Sequence, residues 1–336
     1  MQKPFFSLLA LIFASVLWSE APVYDARLTR YAYPYPVESF AFRSQNQSLE
    51  MAYMHLKARN AQPTFLLLHG KNFSGYYFKP VIEVLHKMGF GVLIPDQIGF
   101  GKSSKPAYYQ FGFPQLARNT HKLMESLNIS EVIVIGHSMG GMLATRFALM
   151  YPESTRHLFL INPIGLENYL DHAHYKDVEF FYQSELAKTA EGIRVYQKKN
   201  YYDGQWSEAY ESLIQTHIGW LNGPDHERIA WNNALTYDMI FSQPVVEDFK
   251  KLRVPTSLIL GTRDRTGPGR GFQKDADSYE LGRYDRLGKI SRIRIPGSRL
   301  YEISGLGHMP FIEDFKRFQT VFQTALEDAD LSPKHQ

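Results

Sequence analysis

Short apolar runs recur along the chain between residues 49 and 262. The segment 49–56 alternates apolar and polar positions, which is typical of a strand that is buried on one face only. Five later runs are apolar almost throughout, as expected of strands buried on both faces of a sheet: TFLLLHG, GFGVLIPD, EVIVIGH, HLFLINP and TSLILGT.

Segments with helical periodicity separate these runs, at 76–88, 114–127 and 139–150. A β, α, β, α order produces parallel strands joined by right-handed crossovers. We therefore predict an α/β fold with a doubly wound, mainly parallel sheet.

The strand pattern stops after the run HLFLINP. Residues 165–250 carry many aromatic side chains and show no strand period, so we interpret them as a helical cap inserted over the carboxyl edge of the sheet. The predicted α/β core then comprises residues 22–164 and 251–330. Its first part, up to about residue 40, is rich in proline and tyrosine and is expected to be an extended arm lying across the body.

Residues 1–21 form a segment of a different kind. Lys3 precedes an apolar stretch from Phe5 to Trp18, and small or polar residues follow around Ala21. This pattern predicts a signal peptide, and hence a secreted or periplasmic protein. The alternative is an uncleaved membrane anchor, but the stretch is shorter than the roughly 20 residues that span a bilayer. No stable membrane span is expected after cleavage.

Composition narrows the possible chemistry. The formal net charge is only +3 and no dense run of lysine and arginine occurs, so nucleic acid is not an expected partner. The chain contains no cysteine, which excludes disulfides, thiolate metal sites and a cysteine nucleophile.

Ser138 is the first candidate nucleophile. The strand run EVIVI leads into Gly136-His137-Ser138-Met139-Gly140, and a helix-like segment follows. A serine in a G-x-S-x-G sequence between a strand and a helix is held on a sharp turn above the sheet. The flanking glycines allow strand and helix to approach each other closely.

Four stretches together resemble the α/β-hydrolase family, particularly its cap-bearing serine esterases: LLLHGKNFSG, PDQIGFGKSSKP, GHSMGG, and the late pair LILGTRDRT with GLGHMPFIEDF. The resemblance spans roughly residues 40–328. It implies a catalytic triad in the chain order serine, acid, histidine, with no cofactor and no metal ion. It also implies a cap inserted at the place of the aromatic segment.

The positions of Asp264 and His308 suit the acid and the base. Asp264 follows the buried run TSLILGT, at the sheet edge shared with Ser138, and His308 lies in a glycine-flanked loop between a strand and a helix. Asp275 or Asp277 are alternatives for the acid. In some relatives the acid follows the preceding strand, but that place holds Asn162, which carries no charge.

Two other histidines could compete with His308 for the role of base. His137 adjoins the nucleophile, but its side chain should point away across the turn, where a packing role fits better. His69 precedes the early His-Gly loop and is expected to support that loop by hydrogen bonding. We therefore keep His308 as the predicted base.

The oxyanion of the tetrahedral intermediate needs two donors. We predict the backbone N–H of Met139 and, by resemblance, that of Lys71 after the His-Gly pair, with Asn72 as the alternative. The Lys71 side chain could select acidic substrates, but a solvated or loop-pairing lysine is the favoured interpretation. Asp96 is expected to anchor its glycine-rich turn rather than to catalyse.

The passage 266–299, rich in glycine and arginine, is longer than the corresponding link in compact relatives. We interpret it as a solvated excursion with one extra helix, although a flap facing the substrate or an anion-binding surface is possible.

The sequence therefore predicts a serine hydrolase acting on a small ester-like substrate. Lactone, amide or carbon–carbon hydrolysis, cofactor-free perhydrolysis, and a non-catalytic binding role are the alternatives. An epoxide hydrolase or dehalogenase is disfavoured, because those enzymes use aspartate where this chain has Ser138. Oligomeric state is not predicted.

Overall fold

Eight strands form a single sheet in the computed structural model, which describes residues 21–59, 62–274 and 278–331. The strands are β1 (Glu38–Ser44), β2 (Gln47–Leu56), β3 (Thr64–Leu68), β4 (Gly91–Pro95), β5 (Val132–His137), β6 (Thr155–Ile161), β7 (Thr256–Gly261) and β8 (Arg299–Ile303). Their order across the sheet is β1-β2-β4-β3-β5-β6-β7-β8. β1 and β2 pair antiparallel at one edge, and β3 to β8 run parallel. The predicted doubly wound, mainly parallel sheet is confirmed.

Helices cover both faces of the sheet and the carboxyl ends of its strands. They are α1 (Lys79–Lys87), α2 (Phe113–Ser126), α3 (Met139–Met150), α4 (Tyr169–His172), α5 (Val178–Leu186), α6 (Ala190–Asn200), α7 (Glu208–Leu221), α8 (His226–Ser242), α9 (Tyr284–Arg294), α10 (Pro310–Glu313) and α11 (Phe315–Asp328). The five helices α4 to α8 lie between β6 and β7, within the segment predicted as the cap.

The central strand β5 shows why the sheet is buried on both faces. Val132 and Val134 pack into the core that also contains residues of α2, α3 and α9, whereas Ile133 and Ile135 pack into the opposite core with residues of α1 and α11. Successive side chains of a strand point to opposite faces, so a run without polar interruption fits only a sheet covered on both sides.

The strand β1 was missed in the prediction, which placed its first residues in the arm. β1 is an edge strand that pairs only with β2, and most of its side chains are exposed or half-buried. Its apolar content is confined largely to Phe40 and Phe42, whose rings stack at 5.2 Å. So few apolar positions give little periodic signal.

The residues before β1 form hydrogen bonds with both the cap and the core, as expected of the extended arm predicted from the sequence. Tyr24 N donates to the carbonyl of Gly219 (2.9 Å), and Trp220 Nε1 donates to the carbonyl of Asp25 (3.0 Å), both in helix α7 of the cap. Farther along, Tyr33 OH donates to Asp96 of the core (2.7 Å).

The predicted signal peptide, residues 1–21, lies outside the described residues except for Ala21. Within the described ranges, none of the helices has both the length and the apolar character needed to cross a bilayer.

Candidate active site

Ser138 occupies a strained turn between β5 and α3. Its backbone has φ 55° and ψ −124°, a conformation that L-residues rarely adopt. Close approach explains the neighbouring glycines, since a Cβ on Gly140 would collide with the carbonyl oxygen of Leu68, and one on Gly136 would collide with the carbonyl of Gly140. The sequence thus places the Ser138 hydroxyl at the carboxyl end of the central strand.

His308 connects Ser138 to Asp264. Its Nε2 lies 2.9 Å from Ser138 Oγ, and its Nδ1 lies 2.7 Å from Asp264 Oδ2. Asp264 follows β7, and His308 follows β8, so both loops begin at the carboxyl edge where β5 also ends. Both side chains are buried. The structure therefore brings together the three residues predicted as nucleophile, acid and base.

Asp264 is held in its ionised form by its neighbours. Its Oδ1 accepts a hydrogen bond from Thr266 N (2.7 Å), and its Oδ2 accepts one from Asn162 Nδ2 (2.9 Å). Burial acts to raise the pKa of Asp264, but the charge of protonated His308 and the hydrogen bonds outweigh burial and keep the pKa below its usual value.

Asn162 is a site residue whose role the sequence analysis did not find. It was considered there only as a place without a charge. The side chain reaches in two directions, donating to Asp264 and accepting a hydrogen bond from Gly261 N at 2.9 Å. Its φ of 37° is a conformation that asparagine tolerates better than most residues. The sequence signal for this role is the position of Asn162 directly after β6, because β6 is the neighbour of β7, the strand that precedes Asp264.

His137 supports the site without reaching the nucleophile. Its Nε2 donates to the carbonyl of His308 (2.8 Å), and its Nδ1 accepts from Tyr77 OH (2.7 Å), which in turn accepts from Gly70 N (2.9 Å). Burial, followed by the charge of His308, lowers the pKa of His137 to about 3, so this imidazole is neutral. The network connects three loops of the site and agrees with the expected packing role.

His69 also acts as a support, as expected. Its Nε2 accepts from Gln97 N (3.0 Å), and its Nδ1 donates to the carbonyl of Gly70 (2.9 Å). Asp96 anchors its turn by accepting hydrogen bonds from Gly75 N (2.7 Å) and Lys102 N (2.8 Å).

The loop that carries Lys71 lies against the nucleophile. A Cβ built on the preceding Gly70 would lie 3.5 Å from Ser138 Oγ. The backbone N–H groups of Lys71 and Met139 donate to no acceptor in the part of the chain that the structure describes. Asn72, the alternative to Lys71, lines the cavity beside the site.

The Lys71 side chain is not solvated, which contradicts one half of the favoured interpretation, and its ion-pair partner lies in the cap and not in its own loop. Only 6% of it is exposed, and its ammonium lies 3.8 Å from Glu185 Oε1 and 3.8 Å from the centre of the Tyr237 ring, both in the cap. A lysine between glycine and asparagine is expected to be exposed. Here the cap covers the loop and buries the lysine side chain.

A cavity of about 430 Å³ has Ser138 in its wall. Apolar cap residues line much of it, including Phe181, Tyr237 and Phe241. The stretch Arg265–Phe272 forms another part of the wall, so the beginning of the passage 266–299 faces the site and is not a solvated excursion. The expected extra helix in this passage is α9. Asp275 and Asp277, the alternative acids, lie outside the described residues.

Comparison with known proteins agrees with this architecture. The model of the alpha/beta hydrolase fold family matches residues 63–315. The crystal structure of a probable hydrolytic enzyme from Pseudomonas aeruginosa PAO1 is 46% identical, covers 92% of this chain and 99% of its own, and superposes with a TM-score of 0.87.

More distant relatives match over shorter lengths or at lower identity. Lipase 3 of Moraxella sp. is 25% identical over 267 residues, which are 75% of this chain and 73% of the lipase. The magnesium-chelatase 30 kDa subunit of Rhodobacter capsulatus is 36% identical over 110 residues, which are 33% of this chain and 36% of that subunit. This chain therefore spans only about a third of the length of that relative.

Proposed function

Because this chain belongs to the α/β-hydrolase family and its similar relatives include hydrolases, we propose that it is a serine hydrolase that cleaves carboxylic esters. The observation that carries the proposal is the continuous hydrogen-bonded series Ser138–His308–Asp264 at the wall of a cavity large enough for a small ester.

Each residue of the series has a defined chemical task. Ser138 Oγ attacks the ester carbonyl while its proton passes to His308 Nε2, because an uncharged hydroxyl is a poor nucleophile. Asp264 holds Nδ1 of His308 protonated and stabilises the imidazolium that forms. His308 then gives the proton to the departing alkoxide, which leaves as the alcohol.

The second half of the reaction repeats these steps with water. His308 takes a proton from water, the hydroxide attacks the acyl carbon on Ser138, and the acid is released as Ser138 regains its proton. The N–H groups of Lys71 and Met139 would donate to the carbonyl oxygen as its negative charge develops, and their lack of acceptors in the described chain leaves them available for this task.

The cavity and the N-terminus bear on the substrate and the place of action. Aromatic walls around Phe181 and Phe241 favour an apolar acyl or aryl group of small or medium size. The Lys3 to Ala21 pattern favours export to the periplasm or beyond.

A fluorophosphonate probe tests the proposal directly, since it reacts preferentially with an activated serine. The full-length purified protein should be labelled on Ser138, and a panel of 4-nitrophenyl esters should be hydrolysed. Ser138→Ala should lose both the label and the turnover while its unfolding temperature stays close to that of the wild type. Labelling of another residue, or ester turnover that survives in Ser138→Ala, would refute the assignment.

A further inference from the structure

The Lys71 ammonium is a buried cation without a hydrogen-bond acceptor among the described residues. Its nearest carboxylate oxygen, Glu185 Oε1, is 3.8 Å away, which is beyond hydrogen-bonding distance. The face of the Tyr237 ring lies on another side at 3.8 Å. Burying an ammonium without such partners is costly, so this arrangement needs an explanation.

Glu185 offers Lys71 only a distant ion pair, because other groups lie closer to its carboxylate. Oε1 accepts from Lys188 Nζ at 2.7 Å, and Oε2 accepts from Asn233 Nδ2 at 3.2 Å. Two lysines thus share one carboxylate, and the cluster has an excess of positive charge. Burial lowers the pKa of Lys71 to about 7, and the attraction of Glu185 offsets this only in part.

A second chamber of about 180 Å³ lies in the cap and shares Glu185, Lys188 and Tyr237 with the catalytic cavity. Three buried polar atoms of residues lining this chamber have no hydrogen-bond partner among the described residues: Gln197 Oε1, His217 Nδ1 and His226 Nε2. Buried polar groups are normally paired, so this chamber beside the catalytic cavity offers polar atoms that are still available for hydrogen bonding.

Lys105 shows what a structural buried lysine looks like in the same protein. Its pKa is also lowered to about 7 by burial, but its ammonium donates to the carbonyls of Gly101 and Ser103. Lys71 has no such bonds, and it lines the catalytic cavity, so its ammonium can donate to a bound group without losing a hydrogen bond.

We propose that Lys71 is a specificity-determining residue whose ammonium binds an anionic group of the substrate, a carboxylate in the simplest case. The inference rests on the proposed ester hydrolysis and deepens it, because it assigns the substrate to acidic esters. The carboxylate supplies the hydrogen-bond acceptor that the protein does not, and the excess positive charge of the cluster attracts it.

Matched ester pairs test the assignment. The 4-nitrophenyl half-ester of adipic acid carries a carboxylate on its acyl part, and the corresponding adipic monoamide is nearly isosteric but neutral. A second pair, 3-carboxy-4-nitrophenyl butyrate and 4-nitrophenyl butyrate, places the carboxylate on the leaving group. At pH 6.5, kcat/KM for the anionic member of at least one pair should exceed that of the neutral member about 10- to 100-fold, as a hydrogen bond to a charged group allows.

Lys71→Met should bring this ratio close to 1, while Lys105→Met, the matched removal of a buried lysine outside the cavity, should keep it. Because both esters are measured on the same preparation, a smaller fraction of folded enzyme lowers both kcat/KM values equally and leaves their ratio unchanged. A wild-type ratio near 1 for both pairs, or a ratio unchanged in Lys71→Met, would overturn the proposal.

The pH dependence of the ratio provides a second readout. The ammonium binds an anion only while protonated, so the preference should be full below pH 7 and decline as the pH rises through about 7. The state of His308 affects both esters equally and cancels. The other charged or titratable groups around the ammonium are Glu185, Lys188, Tyr237 and His217. Burial raises the pKa of Tyr237 and lowers that of His217 to about 3, so both stay neutral in this range.

Calorimetric titration of Ser138→Ala with adipate separates this proposal from the proposed function. Adipate should bind this variant and bind more weakly once Lys71→Met is added. Binding that depends on Lys71, without turnover of any ester by the wild type, would keep the anion site and refute the esterase. Turnover without a Lys71-dependent preference would keep the esterase and refute the anion site.

Discussion

At the scale of single residues, the negative charge of Asp264 beside Nδ1 of His308 favours the tautomer that carries its proton on Nδ1 and leaves Nε2 free to accept the serine proton. Asp264→Asn keeps the shape of the side chain but removes the charge that holds the proton on Nδ1, so His308 can present the wrong tautomer. We expect kcat for a 4-nitrophenyl ester to fall by about 10⁴ with a much smaller change in KM, as in serine proteases. Steady-state kinetics measure both values, and an active Asp264→Asn would show that another carboxylate serves as the acid.

Asn162 offers a prediction in which pH separates two hydrogen bonds. Its bond to Gly261 N is independent of pH, whereas its bond to Asp264 is strong only while Asp264 is ionised. The pKa of Asp264 is lowered in the folded state, so stability from this group is present above the unfolded pKa of about 4 and is lost as the pH falls through the folded pKa.

Asn162→Ala should therefore destabilise the protein by about 1–3 kcal/mol at pH 7, and by less in acid, where Asp264 becomes protonated. Urea unfolding at pH 7 and at successively lower pH values, down to the acid limit of the folded protein, measures the difference. A destabilisation that stays equal over this whole range would mean that only the Gly261 bond and the backbone conformation matter. Ser126→Ala, on an exposed helix end, serves as a variant without a link to Asp264.

The residue scale also shows where sequence reasoning succeeds and where it stops. Ser138 and Asp264 could be placed because each follows a recognisable buried strand, and parallel strands bring their carboxyl ends to one edge. His308 could be placed by its glycine-flanked loop and by the family resemblance, since β8 before it is largely exposed or half-buried. The burial of Lys71 and the contact of Asn162 depend on segments about 100 residues away in the chain. No local pattern carries that information.

At the scale of elements, the arm before β1 holds helix α7 of the cap at close range. Gly219 allows this approach, because a Cβ there would collide with the Tyr24 ring. Gly219→Ala should force the arm away and lower stability by about 1–3 kcal/mol, as overpacking does, despite the better helix propensity of alanine.

Gly192→Ala in α6 provides the matched control, since its Cβ would meet only Thr189 Oγ1, at 3.2 Å. This change should leave the unfolding temperature unchanged or raise it. If Gly219→Ala were equally harmless, the contact between arm and cap would contribute little to stability. Thermal unfolding of the three proteins decides between these outcomes.

Element boundaries were predictable where the apolar signal was continuous. Helix α3 spans Met139–Met150, which is the segment 139–150 expected from the sequence. The position of the stretch 265–272 was not predictable, because its glycines and arginines suggest exposure to solvent. In the structure it lines the cavity together with residues of the cap. Tertiary packing overrides composition at this place.

At the scale of the whole molecule, the way the arm is fastened limits where a signal peptide can be removed. Pro22 O accepts a hydrogen bond from Asn222 Nδ2 (3.0 Å), and Tyr24 N donates to Gly219 two residues later. The folded body therefore uses the chain from residue 22 onward, and a cut several residues farther would discard contacts that join cap and core.

We propose that export removes the chain up to about Ala21 and leaves the arm intact. The full-length chain, expressed in a bacterium with a functional secretory pathway, should yield an extracytoplasmic product whose intact mass corresponds to a start within a few residues of position 21. The same product should hydrolyse 4-nitrophenyl esters, because its arm, cap and catalytic residues are all retained. A membrane-bound product that still begins at Met1 would favour the anchor, and a start beyond Tyr24 in a stable, active product would show that the arm is not needed to hold the cap.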